Sequence, residues 1–376
     1  MVLTRLKRKL ALGLLFLVLL SSCKQDAPPG YPTSLLGHKT LPRPRDLPIV
    51  DIAFAPRGSL VLALDAEGGL YLFDAEKRFR IWEGPSASAR KIQFLPDGHR
   101  VALGCQGGNI YIWDAIKHET IKVLTGHTQD VRGLVPLPDN QRLVSVGWPL
   151  MRGQGMEIKV WDTDSFQLLS SFSGNPKRSG PMAICDGGSK LCTLAESING
   201  GAVEPTMEVI DLRKMETTSV SAPEFSAAAF FPEGERLAAA RMKPAVLGIH
   251  KVPGLEELVS VSYKPRAYVP VLQISPNGKD MISSDINGNL TSWTAEPIAP
   301  VHSLPAPYGE VDVINNTAID WHIGAIAFSS DGRLAAVAGG YRPASYDYRQ
   351  TDIEHQPIIF LLDVRLGRVI ATLKAF

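Results

Sequence analysis

The chain holds eight histidines and four cysteines, and their spacing narrows the chemistry open to it. No two histidines stand at the short spacing of a metal-ligand pair, and no zinc-protease motif, P-loop or nucleophile elbow occurs. His322 and His355, with Asp320 or Asp352 beside them, form the one set that could meet as an acid–base or metal site. Ordinary surface histidines account for them more simply. Asp285-Ile286-Asn287-Gly288-Asn289 carries the oxygen donors of a calcium loop. Its glycine comes too early and no glutamate closes it, so it reads as a turn between two strands. Asn315-Asn316-Thr317 fits an acceptor sequon, to which no role is given. No catalytic residue, metal or cofactor is expected.

The cysteines say more. Cys185 and Cys192 flank the turn of an expected hairpin at 186–191, where an oxidising compartment would allow a disulfide between them. Cys105 lies in an apolar strand and reads as a buried small hydrophobe. Cys23 stands apart. Arg5, Lys7, Arg8 and Lys9 precede an apolar run over 10–20, which ends at Leu20-Ser21-Ser22-Cys23. A basic start, a short apolar core and small residues before the cut describe an export signal. The run is shorter than the ~20 apolar residues that span a bilayer comfortably. A leucine, two small residues and a cysteine resemble the lipobox of bacterial lipoproteins. The resemblance implies cleavage before Cys23, which is then lipidated at its sulfur and its amine.

Two or more acyl chains, at ~0.8 kcal/mol per buried methylene, hold a protein stably on a membrane without spanning it. In that family an aspartate after the cysteine retains the protein at the inner membrane. Lys24 stands there instead, so the resemblance implies outer-membrane delivery, facing the periplasm, in a Gram-negative host. Three segments follow: a signal over 1–22, a lipidated cysteine and tether over 23–48, and a body over 49–376. Pro28, Pro29, Pro32, Pro42, Pro44 and Pro48 stiffen the tether toward extended conformations. Removal of the signal takes four cations and no acids, leaving 35 basic against 38 acidic residues and a net charge of −3. That balance, with export, argues against a nucleic-acid partner.

From Ile49 onward the sequence repeats. An apolar strand ends in a short turn built from proline, an acidic or amide residue and glycine. Examples are Phe94-Leu95-Pro96-Asp97-Gly98, Phe230-Phe231-Pro232-Glu233-Gly234 and Ile274-Ser275-Pro276-Asn277-Gly278. Seven such turns, near positions 58, 98, 140, 187, 234, 278 and 332, recur every 40 to 54 residues. Inside the second unit, 91–94, 100–104, 109–113 and 119–124 read as four short strands of an antiparallel meander. The third strand often closes on a bulky apolar residue and aspartate, as in Trp113-Asp114 and Trp161-Asp162. These features resemble the WD-repeat β-propeller, and the resemblance implies an all-β, seven-bladed fold with four antiparallel strands per blade. Gly126-His127 is the one glycine–histidine pair between blades. The family's polar network of Trp, Ser/Thr, His and Asp is therefore expected to be mostly missing. For ring closure, the last unit offers its own outer strand at 369–373, with 34–36 as a competitor.

Loop lengths single out one face. First-to-second and third-to-fourth strand turns are short throughout. Long segments at 147–155, 196–205, 305–321 and 339–357, with a smaller one at 174–180, all fall on the other face, mainly in blades 3, 4 and 7. Long structureless loops in a compact domain are usually functional or disordered. Their residues are Trp148, Met151, Arg152, Arg178, Tyr308, Trp321, His322, Tyr341, Arg342, Tyr346, Tyr348 and Arg349. Aromatic residues and arginine suit protein recognition. Trp148 and Trp321 could instead fold inward and plug the channel mouth. The expected partners are thus the membrane, through the lipid on Cys23, and another envelope protein, through this face. The expected role is a scaffold or accessory subunit of an envelope complex. An envelope enzyme or a cofactor- or metal-binding propeller using that face is the alternative. Cell-wall carbohydrate is the second.

Overall fold

The computed structural model describes residues 49–374, apart from 67, 77–78, 84–87, 138, 140, 149–154, 174–181, 185–189, 200–201, 215, 222–224, 243, 264–268, 286, 306–319 and 343–357. The chain divides into two units, Met1–Thr40 and Leu41–Phe376. The signal, Cys23 and the tether lie outside the described residues. Among the described residues no helix is long and apolar enough to cross a membrane.

Twenty-eight strands form seven four-stranded antiparallel sheets, each built from four consecutive strands. Blade 1 holds β1 (Ile49–Phe54), β2 (Leu60–Asp65), β3 (Leu70–Asp74) and β4 (Phe79–Glu83). Blade 2 holds β5 (Ala89–Phe94), β6 (Arg100–Cys105), β7 (Ile110–Asp114) and β8 (Glu119–Leu124). Blade 3 holds β9 (Asp130–Pro136), β10 (Arg142–Trp148), β11 (Glu157–Asp162) and β12 (Leu168–Ser173). Blade 4 holds β13 (Met182–Ile184), β14 (Lys190–Asn199), β15 (Ala202–Asp211) and β16 (Glu216–Ser221). Blade 5 holds β17 (Phe225–Phe230), β18 (Arg236–Met242), β19 (Ala245–Lys251) and β20 (Glu256–Ser262). Blade 6 holds β21 (Val271–Ile274), β22 (Asp280–Ser284), β23 (Leu290–Ala295) and β24 (Ile298–Leu304). Blade 7 holds β25 (Asp320–Phe328), β26 (Leu334–Arg342), β27 (Ile358–Asp363) and β28 (Arg368–Lys374). The first strands of successive blades approach one another around the axis, so the expected seven-bladed propeller is the fold observed.

The core explains the hydropathy pattern. Blades stack face to face, so the middle strands are covered on both sides and lose the alternation of a one-sided sheet. β2 is buried at every position, whereas β8 is exposed at its first four residues. The apolar clusters straddle blade boundaries. One joins Leu95, Ala102 and Ile112 of blade 2 to Leu134, Leu143 and Trp161 of blade 3. Another joins Ile49, Ile52 and Phe73 of blade 1 to Ala325, Ala338, Ile359 and Leu373 of blade 7. The ring closes through that second cluster by apolar packing. β28 is the outer strand of blade 7, so the last unit does supply its own fourth strand. The competing segment at 34–36 lies outside the described residues.

Candidate functional site

In an up-and-down blade, the first-to-second and third-to-fourth turns share one end of the ring. The second-to-third turns and the blade connections share the other. At the first end every first-to-second gap is five residues (55–59, 95–99, 137–141, 185–189, 231–235, 275–279 and 329–333). The repeated Pro-Asp-Gly signature accounts for that uniformity. Gly98, Gly234, Gly278 and Gly332 each donate an amide three residues back, at 2.8–2.9 Å, and have φ of 69–81°. This is a tight turn followed by a left-handed residue, where glycine fits without strain. The acid before the glycine holds the return strand: Asp97 accepts from the His99 and Arg100 amides at 3.0 and 2.9 Å and from the Arg100 side chain. Asp139 does the same with Gln141 and Arg142. Partial burial pulls both carboxyls up in pKa, but these hydrogen bonds outweigh it and hold them below the usual range.

The aspartate that closes the third strand in five of the seven blades is also a turn cap. Asp114 accepts from the Ile116 and Lys117 amides at 2.8 and 2.9 Å, Asp211 from Arg213 and Lys214 at 2.9 and 3.0 Å. Asp74, Asp162 and Asp363 play the same part. Blades are laced together at this end as well. Arg100 donates to the Thr163 carbonyl at 2.6 Å, Lys190 donates to the Gly234 carbonyl at 2.8 Å, and Arg236 pairs with Glu233 and Glu296. Its polar groups are largely committed to one another.

The opposite end is irregular. Its gaps run from two residues, at 200–201, to fifteen, at 305–319 and 343–357. Three expectations need correction here. The segment 196–205 is not a loop: β14 and β15 pair continuously from Lys190↔Asp211 to Asn199↔Ala202, with only 200–201 between them. Trp321 and His322 lie on β25 and Tyr341 and Arg342 on β26, where Trp321 faces Tyr341 and Asp320 faces Arg342 across the ladder. The long segment of blade 7 therefore begins after Arg342. Trp148 ends β10, opposite Asp130, and is half-buried. Met151, Arg152, Arg178, Tyr308, Tyr346, Tyr348, Arg349, Asp352 and His355 lie outside the described residues. So does Cys185, and Cys192, buried in β14, stands opposite Ala183. The pseudo-calcium segment is the turn between β22 and β23, as the sequence implied, with Asp285 accepting from Asn287 and Asn289. Among the described residues, no group of three or more His, Cys, Asp or Glu is placed to hold a metal.

Blade 3 holds the one fully built polar network of the resembled type among the described residues. His127 Nε2 lies 2.7 Å from Ser145 Oγ and Nδ1 lies 3.0 Å from Glu157 Oε2. Trp161 Nε1 donates to the same Ser145 oxygen at 2.7 Å. Glu157 also accepts from the Thr128 amide at 2.8 Å and from its hydroxyl. Serine, histidine and carboxylate in this order have the connectivity of a nucleophilic triad. Ser145, however, is 0% exposed and already receives the indole proton, so no substrate reaches it. The network locks blade 3. Burial depresses the His127 pKa against the pull of Glu157, which favours a neutral ring donating at Nδ1 and accepting at Nε2. Blade 6 keeps half of the arrangement, with Trp293 Nε1 donating to Ser283 at 2.9 Å. Among the described residues the network is thus complete in blade 3, with Glu157 in the acid's place, and half-kept in blade 6.

Besides a cavity of about 910 Å³ at the short-turn end, beside Arg236, Lys279 and Arg333, two cavities bear on ligand binding. Between blades 5 and 6 a groove of about 590 Å³ is walled by Tyr263, Trp293, Leu304 and Pro305. Its aromatic polar groups are spent, since Tyr263 donates to the Arg241 carbonyl and Trp293 to Ser283. On the axis, a cavity of about 230 Å³ is lined by Lys91, Gln93, Arg132 and Gln273 among smaller apolar residues. Sequence reasoning missed these channel residues. The available signal was Lys91, Gln93 and Arg132 in innermost strands, at positions where blade 7 carries Ala325, Ala327 and Gly324.

Two stretches, 76–114 and 118–162, match the family described as WD domain, G-beta repeat. Each runs from an outer strand or the turn before it through the three inner strands of the next blade. Similar curated proteins include the nuclear distribution protein PAC1 of Arthroderma benhamiae, 26% identical over 170 residues, covering 42% of this chain and 34% of that protein. The protein of the same name from Arthroderma otae is 26% identical over 162 residues, covering 40% and 32%. The match thus spans about a third of the length of these relatives. The fold is a seven-bladed β-propeller in which the stretches 76–114 and 118–162 match WD repeats.

Proposed function

We propose that the mature chain is a lipid-anchored envelope protein whose propeller acts as a scaffold or accessory subunit, binding another protein through the end that carries the long connections. The observation that carries this reading is the asymmetry between the two ends. One has turns of two to five residues with their polar groups tied to each other, and the other has gaps of up to fifteen. Aromatic and arginine residues in and beside those gaps supply contact area and directed hydrogen bonds. The anchor rests on the basic, apolar and small-residue succession before Cys23, and Lys24 favours the outer membrane. The name of the fungal relatives speaks of nuclear distribution; no such role is carried over to this chain, because a shared propeller does not transfer a partner.

The experiment is a crosslinking capture from envelope membranes, comparing wild type with a variant in which 344–356 is replaced by a short Gly-Ser link. Recovery of one defined protein by wild type alone supports the reading. Identical recovery by both baits refutes the assignment of that end. A Cys23→Ser variant that stays with the membrane fraction refutes the anchor.

A further inference from the structure

At the loop-bearing end, one side of the channel mouth carries two ion pairs whose cations are exposed and whose acids are buried. Arg132 is the third residue of β9 and Lys91 the third of β5, so both stand near the end at which the innermost strands begin. Ladder register identifies their counterparts. In blades 5, 6 and 7 the position of Lys91 is Ala227, Val271 and Ala325, and that of Arg132 is Ser226, Pro270 and Gly324. The blade connections leading into β5 and β9, at 84–88 and 125–129, are only five residues long. The second-to-third turns of blades 1 and 2, at 66–69 and 106–109, are only four.

The acids at this mouth are withdrawn. Asp51 accepts from the Ile92 amide and from Lys91 Nζ, both at 2.7 Å, and its side chain is 8% exposed. Asp130 accepts from the Gly107 amide at 3.0 Å and is 3% exposed. The cations are not withdrawn. The Lys91 side chain is 34% exposed and uses one donor on Asp51, while the Arg132 side chain is 48% exposed and its guanidinium forms a loose ion pair with Asp130 at 3.6 Å. That distance is beyond a hydrogen bond, and Arg132 makes none to any described residue. Among the described residues no acid lines the cavity below, where Gln93 and Gln273 offer neutral amides.

We propose that this mouth receives a carboxylate from an acidic, extended segment of the partner protein, forked by Arg132 and flanked by Lys91. Arginine's planar donor pair matches a carboxylate in two hydrogen bonds. Asp51 and Asp130 balance the two charges, so the attraction is local, through the outward-facing donors of Arg132 and Lys91. The inference rests on the protein-binding reading above and specifies the chemistry of the partner.

The test uses the full chain in detergent micelles with a fluorescein-labelled octaglutamate peptide, read by anisotropy, and octalysine as control. Octaglutamate is expected to bind, octalysine not. Arg132→Gln is expected to weaken octaglutamate binding about tenfold, the size of one lost hydrogen-bonded charge contact. Arg142→Gln, on the opposite end, is expected to change it less than about twofold. Absence of octaglutamate binding, or equal losses from the two variants, overturns the proposal. Arg132→Gln also enters the envelope capture. If it still recovers the partner as wild type does while the 344–356 variant fails, the carboxylate proposal falls and the protein-binding reading stands. If neither variant affects recovery, both fall.

Discussion

The two ends of the propeller are made from the same number of strand ends, yet one is closed chemistry and the other is open. At the first, a carboxylate such as Asp97 or Asp114 spends its lone pairs on backbone amides two and three residues on. Arginines such as Arg236 bridge to the neighbouring blade. At the second, Arg132 makes no hydrogen bond to any described residue, and gap lengths range from two residues to fifteen. On the proposed reading, stability and recognition belong to different ends, and a substitution should move one property and spare the other.

The largest expected effect lies between blades, next to the closed end. Phe231 is fully buried, belongs to the blade 5–6 cluster and carries Arg236 over its ring at 4.3 Å. Phe231→Ala should cost about 3–5 kcal/mol, measured as a fall in the urea midpoint. Partner capture by the protein still folded should be unchanged. Loss of capture at full folding would show that the two ends are coupled.

A smaller effect is expected from the blade 3 network. His127→Ala removes the close acceptor of the Ser145 hydroxyl, leaving it the Trp161 indole and a 3.5 Å contact to the Lys159 carbonyl, and takes the imidazole partner from Glu157, at a cost of about 1–3 kcal/mol. The network also sets a pH response. Burial depresses His118, His127 and His250, so the folded protein resists protonating them. Their contribution to stability is present above the unfolded histidine value of about 6.5 and is lost as pH falls through it. The turn carboxylates Asp97, Asp139 and Asp331 are also depressed, and theirs is lost only below about pH 4. Urea midpoints between pH 8 and 3 should therefore fall in two steps, and His127→Ala should shrink the first alone. A single step near pH 4 would contradict the neutral, buried state of these rings.

What could be read from the chain follows the same division. The closed end was legible because its chemistry is local: a proline, an acid and a glycine specify a turn within five residues. The open end was less so. Pro205 and the surrounding glycines suggested a loop where β14 and β15 continue. Pro205 lies beyond Thr206, the last residue of β15 that β16 reaches, so it stands where the strand is bonded on one side and tolerates proline. Gly200-Gly201 was the overlooked hairpin signal. Gly339 and Gly340 misled in the same way, since both pair with β25. Glu157 was illegible as part of the blade 3 network because thirty residues separate it from His127, and only the folded blade joins them.

The capping carboxylates give a still smaller effect. Asp139→Ala removes acceptors for the Gln141 and Arg142 amides at a partly exposed turn. About 1 kcal/mol is expected, since water replaces much of what is lost, and capture should not change. A loss of several kcal/mol would mean that these turns are part of the cooperative core rather than its trim.

The least expected effect on stability comes from shortening the blade 7 segment over 344–356, and it is the most exacting test of the contrast. Loop-closure entropy changes only slowly with length, by about 0.6 kcal/mol per doubling. The ladders on either side, from Trp321↔Tyr341 to Ile358↔Lys374, remain intact in such a variant. The urea midpoint should therefore stay within about 0.5 kcal/mol of wild type, while partner capture is abolished. A drop of 2 kcal/mol or more would make the segment part of the fold. The open end would then owe its long connections to architecture, and recognition would have to be sought at the perimeter of the blades instead.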